Sequence, residues 1–181
     1  MNELIKLARD SIATEFGEKL DISESIKKKY SDKVGVFVTL TYEEELRGCI
    51  GYIESEKSLW ESIVECAKFA AFEDDRFYDV TEDEFEDIDI EISVLTKPKL
   101  VLEKDPEKLK KLIVIGKHGL IIKKGWKNGV LLPQVATEYN WNSEMFLKQV
   151  CIKAGLSPKT WKESDDYELK MLEAKLIHED D

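Results

Sequence analysis

The chain has 181 residues, 43% of them hydrophobic, which supports one substantial core or two small lobes sharing one and excludes two large independent domains. A net charge of −11 with 36% charged residues excludes the uniformly basic surface that non-specific nucleic-acid binding needs, while a local basic patch stays compatible with it. Cys49, Cys66 and Cys151 form no CxxC pair and fit free thiols in a reducing compartment. With no signal-peptide pattern and no apolar run of bilayer length, a cytoplasmic protein without membrane contact is expected.

Leu4, Ile5, Leu7, Ala8, Ile12 and Phe16 recur at helical spacing and predict an amphipathic helix over residues 2–16 that closes on Gly17. "VGVFVTL" and "ELRGCIGYI" read as two strands of a hairpin joined by a polar turn at residues 41–44. Ser58 and Glu61 form a capping box for the helix "LWESIVECAKFAAF", whose stripe is Leu59, Ile63, Ala67 and Ala70; Cys66 inside it reads as a small core hydrophobe. Thr81 and Glu84 repeat the box for a short helical turn. In "DIDIEISVL", Ile88, Ile90, Ile92 and Val94 then alternate with Asp87, Asp89, Glu91 and Ser93, as a half-buried strand with an acidic face requires.

Pro98 ends that strand, and Asp105 with Pro106 starts a helix through Lys111. "LIVIGKHGLIIKKGWKNGVLLP" predicts three short strands broken at residues 116–119 and 125–129. Pro133 opens a brief helix, Asn142 caps a longer one through Ala154, and Gly155 suits the left-handed position that follows. The tail reads as a strand because Tyr167, Leu169 and Met171 alternate. Without a regular βαβ rhythm, the expected class is α+β, with mixed or antiparallel sheets flanked by helices. Charge is segregated along the chain. Residues 73–91 hold eleven acidic side chains and one arginine, whereas residues 108–127 hold seven lysines and no acid.

The sharpest chemical signal is "LRGCIG". Gly48 and Gly51 allow backbone amides to approach a ligand, and Arg47 beside the Cys49 thiol can lower its pKa or bind a carboxylate or phosphate. The plainer alternative is a buried strand cysteine whose glycines serve a bulge or close packing. His118, between glycines in a predicted turn, is the candidate base; His178 in the acidic tail reads as solvent exposed. Asp74, Asp75 and Arg76 read as an ion-paired helix terminus with the role of Arg76 open, and Glu91 as a candidate orienter of the histidine or a wet carboxylate. No metal-ligand spacing, Walker A sequence, GxGxxG fingerprint or GxSxG elbow is present.

Read in order, "LRGCIG", "AAFEDDRF", "IEISVL", "GKHGL", "GVLLPQVATEYNW" and "KAGL" before Trp161 resemble the AMMECR family over nearly all of residues 3–178. The resemblance implies an α+β fold with a larger and a smaller lobe forming one AMMECR-type domain over residues 1–181, with a cleft lined by LRGCIG. It places characteristic residues at Arg47, Gly48, Cys49, Gly51, Arg76, Glu91, His118 and Gln134, and implies action beside Memo-like and radical SAM proteins in modifying RNA or another substrate. No cofactor and no metal are expected. Two functions follow. In the first, Cys49 is the nucleophile, His118 the base and Glu91 the orienter, with Arg47, Gly48, Gly51, Arg76 and Gln134 binding substrate. In the second, a non-catalytic module binds a small anionic ligand or RNA, with Trp126 as a stacking surface, or serves as a scaffold for a partner enzyme.

Overall fold

A computed structural model of the chain describes residues 2–179. They fold as two compact units, one running up to Leu95 and including the tail from Lys175, the other holding Thr96–Ala174. Helices beside antiparallel strand pairs in both make the class α+β, as expected.

In the first unit, α1 (Glu3–Ala13) starts where the Asn2 side chain accepts the Leu4 N–H at 2.9 Å. It continues as a 3₁₀ turn over Thr14–Phe16 and stops at Gly17, whose φ of 97° lies in the left-handed region. After the short α2 (Glu24–Lys29), β1 (Val36–Tyr42) and β2 (Glu45–Tyr52) form the expected hairpin. Its two-residue turn is Glu43–Glu44, with φ of 50° and 67°, the backbone of the mirror-image turns that match strand twist. Both capping boxes are present: Glu61 returns to the Ser58 N–H ahead of α3 (Leu59–Phe72), and Glu84 to the Thr81 N–H ahead of α4 (Glu82–Phe85). β3 (Asp89–Leu95) pairs antiparallel with β1, so the local order is β2-β1-β3.

The alternation read in β3 sets the core. Ile88, Ile90 and Ile92 join Val36, Val38 and Leu40 on one sheet face, closed over by Ile5, Ala8 and Ile12 of α1 and by Ile63, Cys66, Ala67 and Ala70 of α3, all buried. Each buried Ile, Leu or Val side chain among them contributes about 1.5–3 kcal/mol over an exposed position. Cys66 is the core hydrophobe expected, its thiol pushed up to about 12 by burial.

The second unit contains β4 (Lys99–Val101), α5 (Pro106–Leu112), β5 (His118–Lys124), β6 (Lys127–Leu131), α6 (Pro133–Glu138), α7 (Ser143–Lys153) and α8 (Thr160–Glu163). It also takes in most of β7 (Glu168–Ile177), which pairs antiparallel with β4 and β5, while β6 pairs with β5. Leu120, Ile122, Leu147, Val150, Phe146, Trp161 and Leu169 form its core.

Two strands replace the three expected between residues 112 and 132. The run "LIVIG" instead ends α5, buries Ile113 and turns at Gly116, whose φ is 82°. His118 accordingly opens β5 and does not lie in a turn. Among the described residues no helix is long and apolar enough to cross a membrane.

Candidate functional site

Successive residues of a strand face opposite sides, so LRGCIG is divided between two surfaces. Gly48 faces α3, and a Cβ built on it would lie 2.0 Å from the Ala70 carbonyl oxygen. Its glycine is required because a helix backbone rests directly on the strand. Gly51 faces the other way beneath Phe37, whose ring a Cβ would meet at 2.4 Å. Both glycines are thus explained by close packing.

Cys49 shares its face with Thr39 of β1 and Glu91 of β3, since Thr39 is in register with both. The Thr39 Oγ1 and Cys49 Sγ are 3.3 Å apart. β2 is paired only on its β1 side in this unit, and an edge strand leaves outward N–H and C=O groups to be satisfied. At Cys49 a charged pair satisfies them. Asp74 Oδ2 accepts the Cys49 N–H at 2.9 Å, while Arg76 Nη2 donates to the Cys49 carbonyl at 3.3 Å. Arg76 also holds Asp74 through Nε at 2.9 Å and Nη2 at 2.6 Å.

Asp74 is nearly buried, at 5% side-chain exposure, whereas Arg76 is 55% exposed. The guanidinium, helped by the Cys49 and Arg76 amides and opposed by desolvation, holds the Asp74 carboxyl far below the usual carboxylate range. The thiol moves oppositely. Burial pushes Cys49 above its ordinary value, and the Asp74 and Glu91 charges add to that rise, outweighing the Thr39 hydrogen bond and Arg76. At neutral pH the sulfur is a thiol, not a thiolate.

Arg47 does other work. It forks onto Glu84, with Nε to Oε1 and Nη2 to Oε2 both at 3.2 Å, and its remaining donors reach the carbonyls of Tyr78 at 2.8 Å and Asp79 at 3.2 Å. The fork, with the Thr81 amide, lowers the Glu84 pKa to about 2. Arg47 therefore braces the 78–84 segment, and the guanidinium that acts on Cys49 is that of Arg76.

The first unit brings together Arg47, Gly48, Cys49, Gly51, Arg76 and Glu91; His118 and Gln134 belong to the second. The His118 Nδ1 accepts the Val114 N–H at 3.0 Å, and its Nε2 lies 3.9 Å from Glu173, so both ring nitrogens face groups of the second unit. Gln134 stands half-buried in the first turn of α6. Sequence reasoning missed the histidine within reach of Glu91. It is His178, with Nδ1 3.4 Å from Glu91 Oε2 and a half-exposed side chain. It also missed Thr39, for which register with Cys49 was the only signal.

Among the described residues no group of three His, Cys, Asp or Glu side chains is placed to hold a metal ion. A crystal structure of an uncharacterized protein from Pyrococcus horikoshii superposes with a TM-score of 0.85 at 36% identity, covering 96% of this chain and 88% of that one. A protein of Methanothermobacter thermautotrophicus is 40% identical over 179 residues, 98% of this chain and 93% of the relative. One of Aquifex aeolicus is 44% identical over 168 residues, 91% of this chain and 86% of the relative. The AMMECR1 family profile matches residues 5–177, and with relatives this similar the chain belongs to the AMMECR1 family.

Proposed function

We propose that the protein is a non-catalytic binding module in which LRGCIG frames a braced surface and Cys49 breaks no bonds. The observation that carries this is the thiol's surroundings. Burial and two carboxylates keep it protonated, its main chain is clamped on both sides by Asp74 and Arg76, and the guanidinium of Arg47 is spent on Glu84. A nucleophile would need the opposite, an electropositive and accessible sulfur with a base beside it. A binding role also suits a chain whose family resemblance implies action beside Memo-like and radical SAM proteins.

The test is the alkylation rate of each thiol against pH, read by mass spectrometry on the native protein. Cys49 is expected to react no faster than an ordinary thiol until the pH passes about 8.5, and Cys66 and Cys151 not at all before unfolding. A Cys49 that alkylates rapidly at pH 6 would overturn the reading and restore the cysteine enzyme.

One observation favours an anionic ligand in the second unit. Trp126 is 85% exposed at the turn between β5 and β6, flanked by Lys124 and Lys127, and offers a stacking face for RNA. Joint Lys123→Glu and Lys124→Glu changes should then abolish oligouridine binding, and retained binding dismisses that version.

A further inference from the structure

The segment after α3 carries a feature that the packing of the first unit does not use. Tyr78 is 93% exposed, yet the backbone around it is hydrogen-bonded on several sides. Arg47 grips the Tyr78 and Asp79 carbonyls, the Phe77 N–H reaches the Asp74 carbonyl at 2.9 Å, and the Val80 N–H reaches the Ala71 carbonyl at 2.9 Å. A large aromatic ring presented to water on a braced loop gains nothing for its own fold. Bound by a partner, it buries much area at little further cost in order. Tyr78 lines a cavity of about 440 Å³ together with Arg47, Arg76, Phe77, Asp79, Thr81 and Glu84. That is room for one or two side chains of a visiting chain.

Charge selects the visitor. Both guanidinium groups at the cavity are neutralised from within, Arg47 by Glu84 and Arg76 by Asp74. Asp79 lines the cavity, and along the same stretch of chain Glu73, Asp75, Asp79, Glu82 and Asp83 are exposed and, among the described residues, take part in no ion pair. An anion approaching Tyr78 meets the unpaired Asp79 carboxylate on a segment that carries four more unpaired acids; a cation is drawn in. Among cationic groups a guanidinium fits best, because it stacks on an aromatic face and can also fork onto a carboxylate such as Asp79.

We infer that the Tyr78 loop is a docking site for an arginine-bearing segment of a partner protein. An arginine stacks on the Tyr78 ring and pairs with Asp79, and neighbouring basic residues meet the acidic rim. The inference rests on the binding-module reading but is tested apart from it, since alkylation of Cys49 is blind to this surface.

The probe is a fluorescein-labelled twelve-residue peptide of alternating Arg, Gly and Ser, titrated with the full chain and followed by anisotropy at low and moderate salt. Saturable binding is expected, weakened at higher salt and weakened further when lysine replaces each arginine. Tyr78→Ala should cost about tenfold in affinity and Asp79→Asn about fivefold, while Tyr78→Phe, which keeps the ring, should bind like the wild type. Tyr139→Ala, removing an exposed tyrosine of the second unit, should change nothing. The site is exposed, so unchanged circular dichroism for each variant separates lost contact from lost fold. Three outcomes would overturn the proposal: no saturable binding at low salt, binding undiminished by Tyr78→Ala, or amide shifts at Tyr78 and Asp79 with oligouridine but not with the peptide.

Discussion

The two units bring a helix end onto a strand in the same way and then finish the contact differently. In the first, α3 rests on β2 at Gly48; in the second, the end of α7 rests on β6 at Gly129, where a Cβ would lie 2.6 Å from the Ala154 nitrogen. In the first unit the chain leaving the helix reaches back to the strand, and Asp74 with Arg76 seizes the Cys49 main chain. In the second the strand reaches for the helix. Lys127 Nζ donates to the Gly155 carbonyl at 2.8 Å, a cation at the negative end of a helix dipole. One contact is a nearly buried charged clamp and the other a solvated strut. The glycines make both approaches sterically feasible, and the polar groups decide which becomes a rigid platform.

The largest effect should come from the shared element. Gly48→Ala drives a methyl into a backbone carbonyl that has no rotamer by which to retreat, so a loss of more than about 3 kcal/mol is expected. Gly129→Ala, with a longer approach, should lose about 2 kcal/mol. Urea midpoints measure both. A Gly48→Ala protein with a wild-type midpoint would show that α3 can lift from the strand, and the parallel between the units would fail.

Legibility in the sequence followed the range of the interactions involved. Capping boxes, the alternation from Ile88 to Ile92 and Gly155 are local, and they appear where the residues predicted them, whereas at the strand's end Ser93 is buried and Val94 only partly so. α2 and β4 were missed because six residues rich in lysine and three residues after a proline carry too little apolar periodicity. "LIVIG" misled because an apolar run of five has no readable period; Ile113 is buried as the end of a helix.

At the site, the motif pointed to Cys49. Which guanidinium faces the thiol and which histidine lies near Glu91 depended on partners far along the chain. Arg47 is drawn to Glu84, and His178 returns from the tail to Glu91. The turn at Glu43–Glu44 was located correctly, but nothing in two glutamates announces positive φ; pairing of Tyr42 with Glu45 imposes it.

The next effect separates the clamp from the strut by pH. Folded, Asp74 titrates well below its ordinary value and Glu84 at about 2 against an ordinary 4.5. As pH falls the unfolded chain takes up these protons first. Stability from the two carboxylates is therefore complete above about pH 4.5; the Glu84 share is lost as the pH drops through about 2, and the Asp74 share at still lower pH. Glu84, 28% exposed, should account for on the order of 2 kcal/mol of that loss after screening by solvent. Asp74→Ala, which strands the Cys49 amide and a guanidinium, should cost about 2–4 kcal/mol at pH 7. Urea melts at pH 7 and pH 3 should show a shallower acid loss in Asp74→Asn and Glu84→Gln than in the wild type. An unchanged slope would mean that the fold does not depend on the clamp's charge.

The smallest effect belongs to the strut. Lys127→Met keeps a side chain of similar length and removes the ammonium, and with it the exposed contact of that charge over the Trp126 ring. Its bond to the Gly155 carbonyl lies in water, where an exposed charge at a helix terminus contributes about 0.3–1 kcal/mol at low ionic strength and less in salt. The expected loss is therefore a few tenths of a kcal/mol, fading by about 0.5 M salt, whereas the Asp74→Ala loss should persist there because that carboxylate is shielded from ions. A salt series on the two variants reads the contrast directly. If the Lys127→Met loss persists in salt as the Asp74→Ala loss does, the strut is as integral to its unit as the clamp, and the rigidity claimed for the first surface would not be peculiar to it.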